Sequence, residues 1–93
     1  MPAKSGQTTV TTAGSEVPLG TVQVNGPVAV RALASNSGVI YLGNDGNHQV
    51  SSVSGFQLSA GDTIIFDFVG NLSSILVDAS VNGEGVCWLC LDF

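Results

Sequence analysis

The feature that most constrains this chain is its punctuation. Short apolar runs rich in β-branched side chains alternate with Gly and Asn, and no run carries the spacing of an amphipathic helix. Such a sequence satisfies its backbone in sheets, so the predicted class is all-β. Residues 20–24 and 28–34 flank Asn25-Gly26, a dipeptide whose tolerance of positive φ suits a two-residue hairpin turn. Pro27 at the turn exit lacks an N–H and predicts a gap in the ladder there. Residues 39–42 (Val-Ile-Tyr-Leu) read as a strand before the turn Gly43-Asn44-Asp45-Gly46-Asn47, and residues 48–53 as a weaker one. Residues 55–58 lead through a turn at 59–62 into a strand at 63–69, where Ile64, Phe66 and Phe68 alternate with Ile65 and Asp67. Residues 75–79 follow, and a second Asn-Gly pair, Asn82-Gly83, introduces residues 85–91. About eight short antiparallel strands with brief connections predict one compact β-sandwich or jelly-roll-like barrel over residues 17–93.

The two ends of the chain read differently. Residues 1–16 are Ser, Thr, Gly and Gln with almost nothing apolar, and predict an extended polar arm with a potential strand at 7–12. Thr8, Thr9, Val10, Thr11 and Thr12 are strong β formers, and the expectation is that they add a strand to a neighbouring chain's sheet edge. In the last strand Cys87, Leu89, Leu91 and Phe93 share one face, while Val86, Trp88 and Cys90 share the other. A strand apolar on both faces needs both covered, either by a central position between layers or by another chain. Trp88 is therefore named with the threonines as a protein-contact residue.

Charge narrows the partners. Of 93 residues only 10% are charged, against the ~25% usual for soluble domains. Neutral Ser, Thr, Asn and Gln supply the polarity, and they cost less to desolvate than charges. A surface largely covered by protein partners is the reading preferred over a Ser/Thr-rich soluble β-domain. Lys4 and Arg31 are the only basic residues in a chain of net charge −5, which argues against phosphate-backbone binding and against a polybasic membrane anchor. No apolar run approaches the ~20 residues of a membrane-spanning helix. Met1-Pro2-Ala3-Lys4-Ser5-Gly6 has no apolar segment of a secretory leader, so the expected compartment is a cytoplasm with reduced thiols.

Chemistry-bearing residues are sparse. Cys87-Trp88-Leu89-Cys90 has the C-x-x-C form but lies in an extended run, where residues three apart sit ~10 Å apart on opposite faces. Both cysteines are expected to be buried and structural. His48 is the one histidine, no G-x-S-x-G is present, and Asp62, Asp67, Asp78 and Glu84 are spread singly among strands and turns. The expectation is no enzyme, no metal and no cofactor. Asn44-Asp45-Gly46-Asn47 lacks the bidentate Glu of a calcium loop and reads as an Asx-Gly turn. Tyr41 and Trp88 fall inside strands, which favours packing over a sugar-binding platform.

The order of three segments resembles a known type of protein. Ile40–Gly46 (IYLGNDG), Gly55–Phe68 (GFQLSAGDTIIFDF) and Ile75–Leu89 (ILVDASVNGEGVCWL) are similar to small β-domains of tailed-phage and prophage virions. Those domains share a strand ending in Y-x-G, a G-F-x-L-x-x-G-[DE] turn and a closing strand that opens A-S-x-x-G-x-G. The resemblance implies a structural virion protein, most like a capsid decoration or cement protein. Its implied partners are the major capsid protein and further copies of itself, as a trimer or dimer. Its implied location is the capsid exterior, after assembly in the host cytoplasm. Neck and tail components use similar domains. A glycan-binding β-sandwich is the alternative from another class.

Overall fold

The structure, a computed structural model, describes residues 3–44, 55–67 and 70–91. The expected strand at 48–53, the turn residues 45–47, and Phe68, Val69 and Phe93 lie outside the described residues. The described residues form ten strands: β1 (Ala3–Val10), β2 (Val17–Pro18), β3 (Gln23–Val24), β4 (Val28–Ala32), β5 (Ile40–Gly43), β6 (Phe56–Leu58), β7 (Thr63–Phe66), β8 (Gly70–Asn71), β9 (Leu76–Ala79) and β10 (Glu84–Leu91). A single 3₁₀ turn, Leu72–Ser74, separates β8 from β9. The all-β reading holds. β2 and β8, two residues each, carry no strand signal of their own in the sequence.

Two four-stranded sheets, ordered β1-β10-β4-β7 and β2-β9-β5-β6, face each other, and β3 pairs with β8 in a small ribbon. All described pairings are antiparallel. Neither sheet closes on itself, so the architecture is an open sandwich and not a barrel. Alternation along each strand builds the core. Val28, Val30 and Ala32 of β4 and Val86, Trp88 and Cys90 of β10 meet Ile40 and Leu42 of β5 and Val77 and Ala79 of β9. Apart from the β5–β6 link, consecutive strands belong to different sheets.

That crossing explains the hairpin that does not form at Asn25-Gly26. β3 pairs with β8, whereas β4 pairs with β10 and β7. Gly26 is buried and is not among the glycines of positive φ, as the expected turn would require. Val24 and Val28, on either side, are fully buried core residues. Burying both outweighs the local turn preference. The Asn82-Gly83 turn does form, with Gly83 at φ +81°, but it carries the chain from β9 in one sheet to β10 in the other.

The polar arm expected over residues 1–16 is also corrected. Its first part is β1, which pairs in the same chain with β10, from Ala3↔Leu91 to Val10↔Glu84. A polar strand suits this place because it is an edge, and only alternate side chains must enter the core. Val10 is fully buried, and the Thr8 hydroxyl donates to the Leu19 carbonyl. Two glycines permit the close fit. A Cβ on Gly6 would lie 2.6 Å from the Trp88 ring, and one on Gly85 would lie 2.1 Å from the Thr8 carbonyl oxygen. Beyond β1 the chain is fastened to the second sheet. Asn82 Oδ1 accepts from the Ala13 N–H at 2.7 Å, and Asp78 Oδ1 accepts from the Gly14 N–H at 2.9 Å.

Because β1 is intrinsic, deleting residues 2–12 is expected to cost at least about 2–4 kcal/mol, roughly 10–20 °C in melting temperature. A melt followed by circular dichroism that leaves the transition unchanged contradicts this role. Gly85→Ala is expected to cost on the order of 2 kcal/mol in the same measurement, because the obstructing atom is backbone.

Candidate functional site

The side chains of the first sheet that point away from the core form its outer face. Register sets two rows across four strands: Ser5, Leu89, Ala29 and Ile65 in one, and Gln7, Cys87, Arg31 and Thr63 in the next. Leu91, opposite Ala3, extends the first row's apolar character. Ile65 is 67% exposed, Leu89 48% and Leu91 47%. Two exposed leucines and an isoleucine on one sheet face, with only Ala29 between Leu89 and Ile65, differ from single scattered apolar residues, which need no explanation. Phe56 on β6 and Val81 in the β9–β10 turn are scattered examples.

The face is concave. A shallow groove of about 570 Å³ is lined mainly by Ser5, Gln7, Ala29, Arg31, Cys87 and Leu89. Arg31 is exposed and forms no ion pair among the described residues. It and Lys4, the chain's only cations, both belong to this sheet. An acidic protein thus presents an apolar groove bordered by a guanidinium, a donor that pairs readily with carboxylates.

The residues expected to contact other proteins divide. Thr8 is half-buried and Val10 fully buried, both inside this domain, while Thr9, Thr11 and Thr12 are exposed. Trp88 is a core residue with 8% of its surface exposed, so the tryptophan expected at a contact surface packs inside its own sandwich. Its indole Nε1 is buried and meets no acceptor among the described residues, which leaves the ring as packing material. Exposed apolar area comes instead from Ile65, Leu89 and Leu91. The signal was present for the two leucines in the double-sided pattern of β10. For Ile65 it was masked by the equally apolar Ile64 and Phe66 beside it.

Cys87 and Cys90 are free thiols on opposite faces of β10. Cys90 is fully buried as expected, but Cys87 is only half-buried and lines the groove. Tyr41 is half-buried on β5. Three of the four carboxylates that the sequence spreads singly among strands and turns are tied to backbone. Asp78 accepts from Gly14 and Ala79, Asp62 accepts from the Ser59 N–H at 2.9 Å, and Glu84 holds the 36–38 loop. No group of three or more metal-ligating side chains comes together among the described residues.

Glu84 receives the Ser37 N–H, the Gly38 N–H at 2.8 Å and the Ser37 hydroxyl at 2.9 Å. Nearby, Asn36 pairs both ends of its amide with the backbone of Gly85, donating at 2.9 Å and accepting at 3.3 Å. The Ser37 N–H foremost, then the Gly38 N–H and the Ser37 hydroxyl, hold the Glu84 carboxyl below its ordinary value against the opposing effect of desolvation. These donors are structural, so the shift marks a clasp on the loop and not a reactive acid.

Comparison of the chain with family models, curated proteins and solved structures finds no match.

The sign of the Glu84 linkage is definite. A carboxyl with a lowered folded pKa stabilises the fold above its unfolded pKa, and that contribution is lost as pH falls through the folded value. Glu84→Gln is therefore expected to melt below the wild type at neutral pH, with the gap closing below the ordinary glutamate range. Melting curves at several pH values showing a constant gap contradict the assignment.

Proposed function

We propose that this chain is a structural virion protein that decorates or cements a phage capsid, binding major capsid subunits and its own copies. The observation that carries the reading is the apolar outer face of the β1-β10-β4-β7 sheet, with Ile65, Leu89 and Leu91 exposed beside Arg31. The motif order along residues 40–89 and the scarcity of charge support it from the sequence side. The described part of the molecule spans a thin slab, with principal extents of 36 × 29 × 18 Å. One broad face of that slab is of the order of the ~800 Å² per partner that a stable interface covers. The glycan-binding alternative is disfavoured, because Trp88 is buried and Tyr41 half-buried, leaving neither free as a platform.

Burial of each large side chain on this face contributes about 1.5–3 kcal/mol at most, or roughly ten- to a hundredfold in affinity. Purified protein mixed with expanded tailed-phage capsids is expected to co-sediment at a fixed ratio over repeated lattice sites. Leu89→Asp and Ile65→Asp are each expected to weaken that binding at least about tenfold with the melting temperature retained. Unchanged binding by both variants overturns the face assignment. Saturation at one position per particle reassigns the protein to the neck or tail.

A further inference from the structure

We propose that two copies of this chain join through their β1 strands, antiparallel and edge to edge, about a two-fold axis at Gly6. The inference rests on the self-association part of the reading above and supplies the surface for it; it does not depend on capsid binding. β1 is the outermost strand of its sheet and, with eight residues, the longest open edge among the described residues. Which of its backbone groups are open follows from β10. Leu33 N–H donates to the Gly85 carbonyl and Leu91 N–H to the Pro27 carbonyl, so the odd-numbered residues of β10 hydrogen-bond toward β4. Antiparallel ladders alternate, and the even-numbered residues of β10 therefore bond β1. Their partners are Lys4, Gly6, Thr8 and Val10. The N–H and C=O groups of Ala3, Ser5, Gln7 and Thr9 point to the open edge.

That set is self-complementary. With the two-fold at Gly6, Ser5 faces Gln7 of the second copy and Ala3 faces Thr9, and each such pair exchanges two hydrogen bonds. No open group within the strand is left over. Side chains agree with the register. β1 has no acidic residue in a chain of net charge −5, so two copies meeting here keep their carboxylates apart. Lys4 falls opposite Thr8 of the second copy, not opposite its own equivalent. Gly6 meets Gly6 at the axis with no side chain on either copy. Ser5 and Gln7 also line the outer groove, so pairing sets the two apolar faces side by side on one continuous sheet. The backbone groups alone would accept any antiparallel strand, and it is the acid-free side chains, the Gly6–Gly6 contact and the symmetric register that fit an identical one.

Sedimentation equilibrium of the full chain, without capsids, tests the proposal. The wild type is expected to dimerise. Gln7→Pro removes an N–H on the open side while leaving the ladder to β10 intact, as edge strands permit. It is expected to raise the dimer dissociation constant at least about tenfold with the wild-type melting temperature. Leu89→Asp is expected to leave the dimer intact, which separates this edge from the capsid-docking face. Hydrogen exchange on the wild type reads the same geometry without a substitution. The amides of Ser5, Gln7 and Thr9 are expected to gain protection with concentration, while Gly6, Thr8 and Val10 are protected throughout. A wild type monomeric at every concentration overturns the proposal. So does a folded Gln7→Pro that dimerises like the wild type, or protection of the odd amides that arises only on capsids.

Discussion

Strand β10 must have both of its edges and one of its faces satisfied at once, and the rest of the structure is arranged around that demand. One edge is paired with β4 and the other with β1. Its inner face supplies Val86, Trp88 and Cys90 to the core. The ladder to β1 can close only because Gly85 has no side chain to strike the Thr8 carbonyl and Gly6 none to strike the indole. The Asn36 amide and the Glu84 clasp then pin the loop between β4 and β5 to the start of β10. A polar strand, two glycines and two loop contacts thus serve a single central element.

The outer face of that element has a different logic. Leu89 and Leu91 sit on the solvent side of a strand whose backbone is fully paired, so nothing in the domain's own economy of hydrogen bonds requires them to be apolar. Thr63, Arg31 and Gln7 in the neighbouring row show that polar side chains fit this face equally well. Apolar residues retained where polar ones would fold as well are the physical basis for reading the face as a contact surface.

The longer core strands were legible in the sequence because the two-residue period is local: Val28, Val30 and Ala32 announce their shared face without knowing their partners, whereas the two-residue β2 and β8 are too short to show one. Pairing was not legible. Asn25-Gly26 carries a hairpin preference, yet Val24 and Val28 are drawn into the core from strands that pair elsewhere, and long-range burial prevails. The polarity of residues 3–9 concealed, for a related reason, that the strand expected near 7–12 pairs within its own chain. An edge strand laid over another residue's ring needs little apolar area of its own, so composition resembles that of a free tail. Of the contact surface, the double-sided character of β10 pointed to the right strand. Which parity faces inward depends on register, and there Trp88 and Leu89 exchange the roles that residue type alone suggests.

The order in which the strands pair has a consequence for how the chain is born. Among the described strands β1 is synthesised before all the others and its partner β10 after them, and almost every link between these strands crosses from one sheet to the other. Few neighbouring strands can close a hairpin on their own, so little of the sandwich can form while the chain is still emerging. At the usual pace of synthesis the threonine-rich first strand waits on the order of several seconds for its complement. During that interval the apolar strands of the core emerge beside it, and the polar side chains of β1 give them little to collapse upon. Its polarity keeps the waiting segment soluble, a property invisible in the finished sheet.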